Sequence, residues 1–324
     1  MRAKDDPNNN LGNFVMKSRS YLPAALNHCY QRTSDHGVLF YTVRDHLVFF
    51  TVFCTMARRH QVRVLKLVQM PDHTHHSTFA QTNEKLRAFQ RDYTSAFAKE
   101  YNRSFGLSGP VFETPFSYTQ KCSDKEIRSN LIYLDNNPVE RKLVRQAEEY
   151  RWNYLAYTQS KHPFSEKIRL RFASMPLRKA IKRVTILRSK GRYLTYPLLE
   201  RLFDSLQTKQ EKDQLTDYII SSYWALDHAA AIRYFGSYEH ELVAAHSTTG
   251  SEYDITEGFI GKSDTHYAKL TALVLKKGRF KDIHEILRLS EDEKYRLLET
   301  LRQESAAPAK QIRAFLHLPV DIKQ

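Results

Sequence analysis

Residues 62–78 read VRVLKLVQMPDHTHHST. The apolar run 62–68 has the character of a strand, and Met70-Pro71-Asp72 forms a tight turn, because proline fixes φ and an aspartate side chain can bond its own backbone. A second strand then continues to Phe79, which makes the stretch a hairpin near the middle of a sheet. Within it His73 and His75 lie two residues apart, so a strand places both imidazoles on one face at a spacing that one divalent ion can bridge. Two such histidines are a weak signal alone. A third element is YLDNNPV at 133–139, where Tyr133 and Asn137 are four apart and share one side of a helix. A phenol beside an amide and two imidazoles describes a nucleophile next to a nitrogen and oxygen metal site.

Working outward, residues 25–32 alternate, with Leu26, His28 and Tyr30 on one face and Asn27, Cys29 and Gln31 on the other. His28 is expected to be a strand histidine bonded to backbone or phosphate. A short strand over 38–40 precedes a helix over 42–59, in which Leu47, Phe50, Cys54 and Ala57 recur at three and four. Its end carries Arg58, Arg59 and His60, as the negative pole of the helix dipole favours. Leu86, Phe89, Tyr93 and Phe97 set a second helix over 83–101, and 111–119 is a further aromatic strand. Ser123 or Asp124 caps a third helix, with Ile127, Leu131 and Leu134 toward the core and Tyr133 offset to an edge. Pro138 is tolerated there if Asn136 and Asn137 form the last turn. The order β, β, α, β, β, α, β, α implies an α+β fold, a ferredoxin-like or RRM-like sandwich with a central antiparallel sheet and an extra N-terminal strand.

The MPDHTHH element, GPVFETPF at 109–116, YLDNNPV and the following Trp152 together resemble the single-tyrosine HUH transposases, in particular the REP-associated tyrosine transposases. The resemblance covers residues 21–157, in the family's order and spacing. Thr74 stands where the family has a bulky apolar residue, and Asp72 where it has Asn. Threonine remains strand-compatible, so the first departure bears on packing and the second on how the loop is tied down. The resemblance implies a HUH fold with Tyr133 as nucleophile, His73, His75 and Asn137 as metal ligands, and Mg²⁺ or Mn²⁺ as the ion. It implies strand transfer through a 5′-phosphotyrosine rather than hydrolysis, on single-stranded or hairpin DNA. Asp72 and Glu113 are the acidic candidates for a base or a fourth ligand, each with a plainer structural role open to it.

Composition points to a polyanionic partner. The chain has 324 residues with 50 Lys and Arg against 36 Asp and Glu, a formal net charge of +14, and that excess favours nucleic acid or an anionic surface. Arg91, Arg103, Lys121 and Arg128 are placed to track a phosphate backbone, with Phe112 and Phe116 available for base stacking. No apolar run approaches a membrane span and the start MRAKDDPNNN is too polar for a signal peptide, so a cytoplasmic protein is expected, with no membrane partner. Cys29, Cys54 and Cys122 have no paired spacing. Residues 1–20 form a polar arm, 158–192 a basic linker or helix able to lie along DNA or a hairpin stem, and 193–324 a helical domain. In that domain helical period runs over 198–215 and 217–234, a further helical region opens at 250–255, and Ser290 with Glu293 makes a capping box. The two short helices joined by SAAP suggest a helix-turn-helix-like unit within 264–320 that serves sequence choice.

Two other readings compete with the enzyme. A catalytically silent, domesticated DNA-binding or regulatory protein would need none of Tyr133, His73 and His75, and all three are present. An RNA-binding RRM-like protein would carry exposed aromatics on its central strands, where this chain has histidines. Monomer and homodimer stay open.

Overall fold

A computed structural model describes residues 21–247, 260 and 263–320; the expected polar arm and the helical region opening at 250–255 lie outside them. Four strands, β1 (Leu26–Arg32), β2 (Arg63–Gln69), β3 (His73–Phe79) and β4 (Ser117–Lys121), form one antiparallel sheet in the order β2-β3-β1-β4. The hairpin is therefore β2-β3, and its second strand is central, hydrogen-bonded on both edges. Its turn closes through Met70 N–H to the His73 carbonyl at 2.9 Å.

Three helices flank the sheet: α1 (Val43–His60), α2 (Asn83–Phe105) and α3 (Asp124–Glu140). Thr42 caps α1 in a reciprocal box with Asp45, and Ser123 does the same for α3 with Glu126, each box satisfying amides that a helix start leaves open. Helices α1 and α2 cover one face, where Phe49, Phe53, Phe89, Tyr93 and Phe97 pack with Cys29 and Leu67. Helix α3 covers the other, where Ile127 and Leu131 meet Leu26 and Leu65, and Tyr133 and Leu134 meet Val68 and Met70. Pro138 lies inside α3 without ending it.

The strand expected at 38–40 is absent. The Leu39 and Phe40 amides both donate to the Pro71 carbonyl, at 2.7 and 3.0 Å, and Val38 N–H donates to the Ala314 carbonyl at 3.1 Å. These three residues strap the hairpin turn instead of pairing in a ladder. The strand expected over 111–119 is displaced to β4, with a single bridge left between Phe112 and Thr33. A register shift opposite Ser77 lies between Val64 and Lys66; it turns Lys66 to the α3 face.

Beyond α3, three 3₁₀ turns at 147–158 lead to α4 (Met175–Ser189), α5 (Tyr196–Asp204), α6 (Lys209–Tyr223), α7 (His228–Ile232) and α8 (Tyr238–Ser247). The stretch 158–192 is not a free linker: Leu177, Ala180, Ile181, Val184 and Leu187 of α4 are buried in the same core as α1 and α2. The remaining helices α9 (Thr265–Lys276), α10 (Glu291–Glu304) and α11 (Ala309–Phe315) share a second core that takes in Val38. The Ser290–Glu293 box caps α10, and α11 begins after Pro308. No helix among the described residues is long and apolar enough to cross a membrane.

Candidate active site

Alternation along β3 sorts its three histidines. His76 faces α1 and α2, bonded to Gln90 Oε1 at 3.0 Å and Thr78 Oγ1 at 2.7 Å, with its pKa pushed down by burial to about 4. His73 and His75 face α3, with ring centroids 4.9 Å apart.

Helix α3 brings its own residues to those rings. The Tyr133 ring stands edge-on to His75, centroids 5.6 Å apart. One turn later Asn137 Nδ2 donates to the Tyr133 hydroxyl at 3.1 Å. The i, i+4 spacing thus has a direct consequence: the amide spends its donor on the phenol and leaves its oxygen as the group available to a cation. That oxygen, Asn137 Oδ1, is buried and accepts no hydrogen bond, which is costly for an amide carbonyl unless another acceptor-seeking group fills the place.

Each imidazole has a partner on its Nδ1 side. Asp72 Oδ1 lies 2.6 Å from His73 Nδ1. Burial pushes the Asp72 carboxyl up, but His73, Arg32 and Arg141 together outweigh it and hold it below the usual range. As a carboxylate Asp72 accepts from His73 Nδ1–H, the kind of contact that orients a metal-binding imidazole through its other nitrogen, and it gives the Asp at 72 a role beyond tying down its turn. On His75, Nδ1 lies 3.0 Å from His28 Nε2, and the two rings stack. The sequence placed His28 on this face through the Leu26, His28, Tyr30 alternation but assigned it to backbone or phosphate. Tyr30 is the other neighbour, its ring 5.4 Å from His73 and 4.9 Å from His75.

The site is closed. Tyr133 is 2% exposed, His73 1%, and His75 and Asn137 0%. One turn past Asn137, the Arg141 guanidinium grips the Asp264 carboxylate through two bonds, at 2.6 and 3.1 Å, and Asp264 N–H returns to the Arg141 carbonyl at 3.0 Å. On the neighbouring side of α3, Lys66 meets both Asp135 and Glu241 of α8, and Asn136 Nδ2 donates to the Ala245 carbonyl at 2.7 Å. Neither the Arg141 pair nor the Lys66 cluster is visible in the sequence, since the partners lie 69 to 175 positions apart.

The residues expected on DNA separate into classes. Arg91 and Arg103 are exposed on α2, each beside a carboxylate, Asp92 and Glu100. Lys121 ends β4 at the sheet edge. Arg128 lies over the Phe235 ring and reaches the Tyr234 carbonyl at 3.4 Å, so it ties α3 to the end of α7. Phe112 is buried in the main core against Phe49 and Phe97 and cannot stack on a base. Phe116 is partly buried and stacks on Tyr118. Glu113 pairs with His36 at 3.3 Å. Trp152 stacks on His46 at 4.1 Å and serves packing.

Among the described residues no group of three or more His, Cys, Asp and Glu side chains is arranged to hold a metal ion; the set assembled at Tyr133 is two histidines and an amide. No protein-family model and no curated protein matches the chain. Among solved structures it is similar to the REP-associated tyrosine transposase bound to a REP hairpin, at 15% identity and a TM-score of 0.38, over 44% of this chain and 84% of that one.

Proposed function

We propose that the chain is a metal-dependent single-strand DNA endonuclease and strand transferase, transposase-like, with a HUH-type core and hairpin-associated DNA as its substrate. One observation carries the reading: a single strand and a single helix bring Tyr133, His73, His75 and Asn137 together, with Nδ1 of both imidazoles engaged by neighbouring side chains. His73, His75 and the Asn137 amide oxygen would hold Mg²⁺ or Mn²⁺. A bound divalent ion would polarise the scissile phosphate and offset charge on its oxygens. The donor set suits Mn²⁺ better than Mg²⁺, because imidazole favours the softer ion.

The Tyr133 hydroxyl attacks phosphorus; its oxygen–phosphorus bond forms as the bond to the 3′ oxygen breaks, and the proton lost by the phenol ends on the released 3′ hydroxyl. No water enters, so the phosphodiester is conserved as a 5′-phosphotyrosine for rejoining. Asn137 Nδ2 holds the phenol oxygen in place before attack. An unpaired, flexible strand meets that narrow site at lower distortion cost than a duplex. The closed site is the observation that favours the second reading, a catalytically silent DNA-binding or regulatory protein.

The test is a denaturing gel with hairpin DNA labelled on the side that would carry the 5′ phosphate, in Mn²⁺. Wild type shifts label onto protein. Tyr133→Phe abolishes both cutting and adduct while binding persists. His73→Ala or His75→Ala lowers cutting steeply, with partial recovery at high Mn²⁺. Cutting by Tyr133→Phe overturns the tyrosine mechanism, and binding by the wild type without any adduct selects the silent reading.

A further inference from the structure

Residues 167–192, KIRLRFASMPLRKAIKRVTILRSKGR, contain ten Lys and Arg and no Asp or Glu. Among the described residues none of these ten is in an ion pair, while 50 cations and 36 anions share the whole chain. The apolar side of α4 is buried, and Arg178, Lys179, Lys182 and Arg183 are exposed on the other. At about 100° per residue these four occupy an arc of about 140°, and Arg178 and Lys182 stand about 6 Å apart along the axis. The loop before α4 projects Phe172, 76% exposed, with Leu170 and Met175 each 54% exposed. Arg171 lies over the Phe172 ring at 5.8 Å. Phe172 also borders an open cleft of about 780 Å³ that reaches the start of α6. The two carboxylates at that cleft are engaged, Glu166 by Gln210 at 2.7 Å and Glu211 by the Gln207 amide at 3.1 Å.

We propose that the exposed face of α4 with the 167–176 loop is a second DNA-contacting surface, which takes the backbone of a duplex stem and sets Phe172 against an unpaired base beside it. The surface deepens the endonuclease reading, on which the choice of a hairpin stem rests. The charge pattern matches a polyanion whose affinity comes from Lys and Arg contacts to phosphate. With its apolar side packed in the core, α4 offers its arc of four exposed cations to the phosphate backbone side-on. An aromatic ring beside cations is the arrangement that stacks unpaired bases without sequence choice. An anionic membrane fits less well: a helix lying on a membrane turns its apolar stripe outward, whereas that of α4 faces the core.

The test uses the full chain carrying Tyr133→Phe, so that binding is read without cleavage. Binding to a hairpin with an unpaired flank is measured from 50 to 300 mM salt for this protein and for a version with Lys179→Ala, Lys182→Ala and Arg183→Ala. Alanine at exposed helix positions keeps the helix, and an unchanged melting temperature checks it. Losing three phosphate contacts lowers the slope of log affinity against log salt by about 2.7. Phe172→Ala weakens the flanked hairpin about 5- to 150-fold and leaves a blunt duplex unchanged. Unchanged slope and affinity in the triple variant overturn the proposal, as does a triple variant that loses binding to phosphatidylserine vesicles and keeps DNA. In the cleavage-competent chain the triple variant still forms the adduct on a short stemless strand. Loss of stem binding together with absence of any adduct in the wild type therefore sinks the endonuclease reading and leaves this surface standing.

Discussion

Lys66→Met removes one charge from a buried ion cluster and nearly preserves volume. The Lys66 ammonium is 5% exposed and lies between Asp135, 1% exposed, and Glu241, 0% exposed, with 2.6 Å to the Glu241 oxygen. His228 Nε2 reaches the second oxygen of Glu241 at 2.9 Å. Glu241 therefore has two cationic or donor neighbours and is held low, at about 2, since Lys66 and His228 outweigh its burial. Asp135 shares Lys66 with it, and burial pushes its carboxyl up to about 7. Without Lys66 the two buried carboxylates lose the cation they share, and only Glu241 keeps a partner, His228. Breaking a buried pair from one side costs about 3–5 kcal/mol, and at about 2 °C per kcal/mol for a chain of this size the melting temperature at pH 8 falls by about 6–10 °C.

The sign of the pH dependence follows from linkage. A carboxyl whose folded pKa is raised binds more protons in the native state, so its penalty is absent at low pH and grows as pH rises through the window between the unfolded and folded values. The deficit of Lys66→Met therefore shrinks between pH 8 and pH 5, and adding Asp135→Asn recovers part of it at pH 8. Thermal melts by circular dichroism at both pH values are the assay. A variant that melts within 2 °C of wild type at pH 8, or a deficit equal at both pH values, refutes the reasoning and with it the clamp that joins α8 to the tyrosine helix.

His284 lies between Asp45 of α1, at 2.9 Å, and Asp282, at 2.5 Å; burial lowers its pKa but the two carboxylates raise it to about 9. Its stabilisation is complete below pH 6.5 and is lost as pH climbs toward 9, about 3 kcal/mol in all, so the melting temperature should decline across that range in wild type and stay flatter in His284→Gln. Phe112→Ala opens a void in the main core and costs about 3–5 kcal/mol, while DNA affinity at a temperature where the variant is folded stays unchanged. A variant that melts like wild type yet binds DNA poorly would return Phe112 to the surface.

The hairpin, the shared face of His73 and His75 and the i, i+4 pairing of Tyr133 with Asn137 were all legible in the sequence, because each depends on a period of two or of about four residues and on a proline turn. So were the caps at Ser123 and Ser290, where a side chain answers an amide three residues away. Tertiary structure decided the rest. Residues 38–40 have strand chemistry but spend their amides on Pro71 and Ala314, and no local rule foresees which carbonyl wins. Phe112 and the exposed Phe172 are the same residue type, separated only by what packs on them. The basic stretch 167–192 looks like a linker by composition; its five apolar positions at helical spacing met a core that exists only once α1 and α6 are in place. His28 and Asp72 acquired their roles in the same way, since an imidazole selects its tautomer from whatever its other nitrogen faces, and here those partners are a neighbouring strand and a turn residue brought into contact by the fold.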